Sequence, residues 1–107
     1  MGYNWGMIKI PAKLQWVFWS VDVRHLELER DRVYIIHQIL AFGRMEEIHW
    51  LFQTYSLREI CAVFLNSPYK NYRFPRFTLV KNYILSLEKM PVVLEKYVIN
   101  TPRNIGS

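Results

Sequence analysis

Cysteine and glycine are scarce in this sequence. Cys61 is the one cysteine, and the four glycines are scattered over positions 2, 6, 43 and 106. A single thiol excludes an intramolecular disulfide and a multi-thiolate zinc site, and isolated glycines form neither a phosphate-binding loop nor a nucleophile elbow. No apolar run approaches the roughly 18 residues that a membrane-spanning helix needs, and residues 1–10 do not resemble a signal peptide. We therefore expect a cytoplasmic protein that does not enter a membrane.

Patterns of catalytic and metal-binding residues are also missing. Four potential ligands are spaced twelve residues apart, namely His25, His37, His49 and Cys61. Twelve residues turn an α-helix through about a third of a circle, so this spacing does not collect the four on one helix face. No Cys-x-x-Cys or His-x-x-x-His pair is present, and small helical domains rarely enclose a water-excluding pocket. We therefore predict a non-enzymatic protein with no metal and no cofactor.

The positive charge of the chain is concentrated toward its C-terminus. The formal net charge is +5. From Met1 to Leu65, seven basic residues balance seven acidic ones, whereas from Asn66 onward seven basic residues face two acidic ones. This asymmetry indicates an acidic partner on one side of the molecule.

Hydrophobic periodicity predicts an all-α fold. The 107 residues are 51% hydrophobic, which is enough apolar material for one folded domain. We predict helices from Pro11, over residues 29–42 and 45–55, from a capping Ser56 to Leu65, and from Pro75 to Leu87. The close succession of the helices at 45–55 and 56–65 is typical of a helix-turn-helix. The expected molecule is a compact bundle of about five helices at residues 11–99, with an N-terminal arm at 1–10 and a flexible tail at 100–107. Residues 92–99 fit either a helix or a strand.

Cationic and aromatic residues alternate between Tyr69 and Lys81. Cations bind phosphates and planar rings stack on bases, so this stretch is a candidate nucleic-acid surface. In the alternative interpretation it is a solvated basic loop whose rings anchor it to the core, and an acidic protein would be attracted by the same charges. The candidate residues are Lys70, Asn71, Tyr72, Arg73, Arg76 and Lys81, with Asn71 and Tyr72 as base readers. The helix at 56–65 offers only Arg58 on its outer face, which favours phosphate positioning over sequence-specific readout.

The tryptophans are candidates for contacts with another protein. Trp5, Trp16 and Trp50 are predicted to be core or interface anchors, because tryptophan buries the most area per residue. If they form an exposed apolar patch, a homodimer or another protein would cover it.

The order of several motifs resembles a known family. Phe18-Trp19-Ser20-Val21-Asp22 precedes the run Ile35-Ile36-His37-Gln38-Ile39-Leu40-Ala41-Phe42-Gly43, followed by Glu46-Glu47-Ile48-His49-Trp50-Leu51-Phe52 and Tyr55. The chain resembles, over Ile10 to Leu87, a family of small uncharacterised bacterial proteins with a Phe-Trp-Asp-x-Asp opening. Its members look like the antitoxin-side partners of nucleotidyltransferase toxins of the abortive-infection type. Ser20 stands where the family tends to have aspartate, and Ser56 where glycine is common. The resemblance implies a context and no residue-level role.

These observations predict a non-enzymatic antitoxin-like or transcriptional-regulator-like helical protein. It would bind a nucleotidyltransferase-type toxin, DNA, or both, through a basic C-terminal surface. The alternative is a protein-interaction or homodimerisation module that does not bind nucleic acid. Salt dependence separates the two, because phosphate binding weakens steeply with salt and an apolar interface barely responds.

Overall fold

The computed structural model describes residues 10–99, and they form an all-α fold. Two 3-10 helices, Ala12–Phe18 and Val23–His25, precede the α-helices α1 (Arg32–Phe42), α2 (Met45–Thr54), α3 (Leu57–Asn66) and α4 (Phe74–Thr78). Helix α4 continues as a π-helix, Leu79–Ile84, and a last 3-10 helix spans Leu94–Lys96. The predicted helical bundle is confirmed, and α2 and α3 are separated by Tyr55 and Ser56 alone.

The predicted termini fall almost wholly outside this range. The N-terminal arm at 1–10, including Trp5, and the tail at 100–107 lie outside the described residues, apart from Ile10. Ile10 is buried and belongs to the hydrophobic core. Within residues 10–99 no helix is long and apolar enough to cross a membrane.

Helix α1 is the centre of the fold. Every residue from Ile35 to Ala41 is buried, which places apolar side chains on all sides of the helix. The helix begins at Arg32, three residues later than predicted, because Asp31 closes the preceding turn. The Asp31 backbone N–H donates to the Glu27 carbonyl, and the Asp31 carboxylate accepts from the Glu27 backbone N–H, both at 2.9 Å.

Gly43 ends α1, as predicted, but for a steric reason. Its φ of −72° is open to any residue, so no left-handed conformation requires glycine there. A Cβ at this position would lie 2.7 Å from the Ile39 carbonyl oxygen and 3.1 Å from the Glu47 Cβ. Glycine is therefore needed because a Cβ would collide with Ile39 in the last turn of α1 and would also crowd the start of α2.

The C-terminal part of the chain completes the core with aromatic residues. The Phe64 ring of α3 lies 6.0 Å from Tyr72, 6.0 Å from Phe77 and 4.9 Å from Tyr97, measured between ring centroids. Burial of these large rings is a main contribution to the packing of residues 67–99 against α3.

The predicted helix from Pro75 to Leu87 has a less regular form. After α4 the backbone hydrogen bonds span five residues instead of four, as in the bond from the Leu85 N–H to the Val80 carbonyl. Ser86 then adopts a φ of 56°, which ends the helix. Residues 92–99, which fit either a helix or a strand, form a single 3-10 turn followed by an isolated parallel bridge between Tyr72 and Val98.

Candidate interaction surface and its polar supports

The described residues divide into two parts. The helical body comprises residues 10–66, and the basic segment comprises residues 67–99. Polar contacts from α1 fix the basic segment on the body. They also decide which of its candidate functional side chains remain exposed.

His37 holds the start of the basic segment. It is fully buried in α1, with Nδ1 2.8 Å from the Tyr72 hydroxyl and Nε2 2.7 Å from the Ser67 carbonyl oxygen. A carbonyl only accepts, so Nε2 carries the proton and Nδ1 accepts from Tyr72. Burial lowers the pKa of His37 to about 4, which keeps the ring neutral, and raises the pKa of Tyr72 well above 10.

Gln38, the next residue, makes a second connection. Its Nε2 donates to the Val17 carbonyl at 2.9 Å, and its Oε1 accepts from the Asn71 Nδ2 at 2.8 Å. The first 3-10 helix, α1 and the basic segment are therefore joined through one side chain. Asn71, predicted to be a base reader, has its amide nitrogen committed to this contact.

Arg76 caps the C-terminal end of α1. Its guanidinium donates to the carbonyls of Leu40, at 2.8 Å, and Gly43. The last carbonyls of an α-helix have no partner within the helix, so these bonds satisfy groups that would otherwise be lost from water. Partial burial lowers the pKa of Arg76, but an arginine stays charged.

Lys81 and Tyr72 also lie inside the fold. Lys81 is 9% exposed and its ammonium donates to the Glu88 carbonyl at 3.1 Å. Tyr72 is 0% exposed. Among the six residues predicted to contact nucleic acid, only Lys70 and Arg73 have exposed side chains, and neither has an ion-pair partner among residues 10–99. Of the aromatic residues between them and Lys81, Phe74 is 48% exposed and Phe77 is buried.

Lys96 is a further exposed cation that the sequence prediction did not include. The backbone N–H of Asn71 donates to the Tyr97 carbonyl at 3.0 Å, so the preceding residues, Lys70 and Lys96, lie within about 15 Å between Cα atoms. The parallel bridge at Tyr72 and Val98 sets this register. No sequence signal connects two lysines 26 residues apart, and the ambiguity of residues 92–99 concealed the connection.

A groove lies beside these lysines. It has a volume of about 430 Å³ and runs between the end of α3 and residues 90–93. Its lining is mainly apolar, with Asn66 and Lys96 as polar members: Leu65, Asn66, Pro68, Met90, Pro91, Val92, Val93, Lys96 and Tyr97.

The tryptophans of the body have internal partners. The Trp16 indole N–H donates to Glu47 Oε2 at 3.3 Å, and the Arg44 guanidinium carbon lies 4.7 Å from the Trp16 ring centroid. Trp16 is nevertheless 41% exposed, and Trp50 is half-buried at the edge of the core. Trp16 therefore connects the first 3-10 helix to α2, while part of its ring remains exposed to solvent.

The possible metal ligands are not brought together. His25, His37, His49 and Cys61 lie on four different helices, and no group of three ligating side chains occurs within residues 10–99. The outer face of α3 is exposed at Leu57, Arg58, Ala62 and Asn66, and so carries one cation.

Part of the chain is similar to a known protein family. Residues 14–64 are similar to DUF6922, a family of unknown function. No curated protein and no solved structure matches the chain. The matched range runs from the first 3-10 helix to α3, so it covers most of the helical body and none of the basic segment.

Proposed function

We propose that this protein is a non-enzymatic, antitoxin-type or regulator-type protein that binds an acidic partner through its basic segment. The observation that carries the proposal is the group of exposed cations Lys70, Arg73 and Lys96, which have no acidic partner among residues 10–99. The partner is a toxin-like enzyme of the nucleotidyltransferase type, DNA, or both.

Exposure without a partner distinguishes these cations from those that support the fold. Arg76 and Lys81 have their charged groups turned toward backbone carbonyls, Arg76 at the end of α1 and Lys81 in the turn after the π-helix. Lys70, Arg73 and Lys96 are exposed and have no acidic partner within the described part of the chain, so their charges remain available to an external anion. Ion pairs formed on a surface are weak one by one, and several cations in one region are needed for useful affinity.

DNA binding of this kind would depend on phosphates rather than on base edges. The two predicted base readers are occupied, Asn71 by Gln38 and Tyr72 by His37. Lys70 and Arg73 can still neutralise phosphates, and the half-exposed Phe74 ring can stack. The proposal therefore expects little discrimination between DNA sequences.

A salt-dependent binding assay with matched charge variants tests this proposal. The probes are a DNA duplex and poly-glutamate, the latter representing an acidic protein. We expect binding of at least one probe to weaken about tenfold or more between about 50 and 200 mM salt. Lys70→Glu/Arg73→Glu should weaken it to a similar extent. The control is Lys13→Glu/Arg58→Glu, which makes the same charge change at exposed cations of the helical body that have no acidic partner among residues 10–99. If neither probe binds at low salt, or if both variants behave as the parent, the proposal is wrong.

A homodimerisation module is the second candidate. Leu79 and Tyr83 lie four residues apart on the π-helix and are 45% and 76% exposed. Apolar side chains at this spacing are typical of a helix that packs on a partner. Sedimentation equilibrium of the parent and of Leu79→Ser/Tyr83→Ser checks this candidate: a dimer lost in the variant, and insensitive to salt, supports it.

A further inference from the structure

The groove between the end of α3 and residues 90–93 has an apolar floor and one cation, Lys96, in its lining. Together with Lys70, two residues beyond the lining residue Pro68, Lys96 forms the basic rim of the groove. Leu65 and Pro68 come from the end of α3 and the turn after it, whereas Val92 and Tyr97 come from the far end of the basic segment. Lys96 lines one side of the groove, and Lys70 follows Pro68 by two residues. No acidic residue is part of the lining.

An occupant of this groove must satisfy both features. Apolar side chains gain free energy by leaving water on the floor, and carboxylates pair with Lys96 in the lining and with Lys70 near it. A DNA duplex satisfies only the rim, because its phosphates would meet the lysines while nothing enters the groove. The residues of this chain that follow Ile99 include Arg103 and no acid, so their charge does not complement the rim.

We infer that the groove binds a short segment of the partner protein in which apolar side chains alternate with Asp or Glu. This inference rests on the proposed function and specifies it, since it assigns the acidic partner to protein and locates its contact. The apolar anchor enters between Leu65 and Val92, and the flanking carboxylates contact Lys70 and Lys96. Arg73 and Phe74 lie outside the lining and extend the surface.

Nuclear magnetic resonance titration of the full chain locates the contact. The probes are a short synthetic peptide alternating Glu with Leu, a peptide of equal charge alternating Glu with Ser, and a DNA duplex. We expect the Glu-Leu peptide to shift the amide signals of Leu65, Val92 and Tyr97, and to bind at least about tenfold more tightly than the Glu-Ser peptide.

Two variants separate the rim from the floor. Lys70→Glu/Lys96→Glu should weaken binding of both peptides by about tenfold or more, because a repulsive charge replaces an attractive one at each site. Val93→Trp should fill the groove and weaken only the Glu-Leu peptide, since Val93 lines the groove and is 52% exposed. Lys13→Glu/Arg58→Glu is again the control, and we expect it to bind as the parent does.

The outcomes distinguish this inference from the proposed function. Equal binding of the Glu-Leu and Glu-Ser peptides, or binding of the duplex alone, overturns the groove inference and leaves the proposed function standing. If no probe binds, both fail. Self-association of the parent that Val93→Trp abolishes would identify a second copy of the chain as the occupant and so overturn the inference.

Discussion

The helical body and the basic segment treat their charged residues differently. Four arginines of the body have acidic partners: Arg24 with Asp22, Arg30 with Glu27 and Asp31, Arg32 with Glu59, and Arg44 with Glu47. No lysine or arginine of the basic segment has an acidic partner among residues 10–99. The body thus pairs four of its five arginines with its own acidic residues, whereas the basic segment leaves its positive charge to a partner or to backbone carbonyls.

Aromatic residues do not follow this division, since Tyr83 of the basic segment is 76% exposed and Phe18 of the body is fully buried. Trp19 in the body is 60% exposed and contacts the Phe42 ring edge-on at 4.9 Å, whereas Tyr72 and Tyr97 in the basic segment are 0% and 1% exposed. Of the rings that alternate with cations in the stretch from Tyr69 to Lys81, Tyr72 and Phe77 are buried and Phe74 is half exposed. Of the cations, Lys70 and Arg73 are exposed, whereas Arg76 and Lys81 contact backbone carbonyls. Alternation of rings and cations in a sequence does not by itself place them on one surface.

The largest expected effect comes from breaking the contact between the two regions at His37. His37→Ala removes a buried ring and leaves the Tyr72 hydroxyl and the Ser67 carbonyl without partners. We expect it to lower the free energy of unfolding by about 3 kcal/mol. His49→Ala, at an exposed position of α2, is the control and should change it by less than about 0.5 kcal/mol. Urea unfolding measures both, and equal effects would contradict the assigned role of His37.

Arg76 and Arg73 test whether cations of the basic segment divide into supporting and exposed ones. Arg76→Met leaves two carbonyls at the end of α1 unsatisfied and should lower the free energy of unfolding by about 2 kcal/mol. Arg73→Met, which removes an exposed side chain with no ion-pair partner among residues 10–99, should change stability by less than about 0.5 kcal/mol. In the binding assay the order should reverse, with Arg73→Met the more damaging. The same rank order of the two variants in both assays would contradict this division.

Mild acid should weaken the same junction without any substitution. The pKa of His37 is lowered to about 4 in the fold, against 6.5 for an unperturbed histidine. Its contribution is therefore complete above pH 6.5 and is lost as pH falls, because the unfolded chain takes up the proton first. We expect a loss of about 2 kcal/mol between pH 6.5 and about pH 5.

The pH window isolates the histidine from the carboxylates. Asp31 and Glu47 have lowered pKa values, so their contributions are lost only at lower pH. Urea unfolding of His37→Gln over the same range is the control, and its stability should be flat. A parent protein as stable at pH 5 as at pH 6.5 would contradict the buried neutral ring.

Ser86 gives the smallest expected effect, and it has the opposite sign. The residue lies in the basic segment with a φ of 56°, a region that only glycine adopts without strain. Ser86→Gly should raise the free energy of unfolding by about 0.5–1 kcal/mol. Ser86→Ala keeps the Cβ and should leave the stability unchanged or slightly lower. A gain in the alanine variant as well would assign the effect to the hydroxyl instead.

The helices of the body were predictable because their signals are local. Apolar stripes defined α2 and α3, and Ser56 caps α3 by accepting from the Glu59 backbone N–H at 3.1 Å. The start of α1 was predicted three residues too early, since the turn closed by Asp31 competes with the helix for the same residues. The π-helix and the 3-10 turn of the basic segment depend on tertiary packing, which periodicity does not record.

The candidate surface was located only in part. Charge counting identified the C-terminal side and residues Lys70 and Arg73, because net charge can be read from composition alone. It could not separate them from Arg76 and Lys81, whose charged groups meet carbonyls that are distant in the sequence. Lys96 was missed because the bridge that brings it beside Lys70 is a contact between residues far apart.

Two neighbouring polar residues in α1 have a consequence for how the helix is oriented about its own axis. Because α1 is buried on every side, its isoleucines and leucines would be nearly as well covered after a rotation of the helix. His37 and Gln38 would not, since each requires partners in one direction only, and these directions differ by about 100° around the helix. Hydrophobicity makes α1 central. The hydrogen bonds of these two side chains select one rotational orientation of the helix among several that would bury similar apolar area.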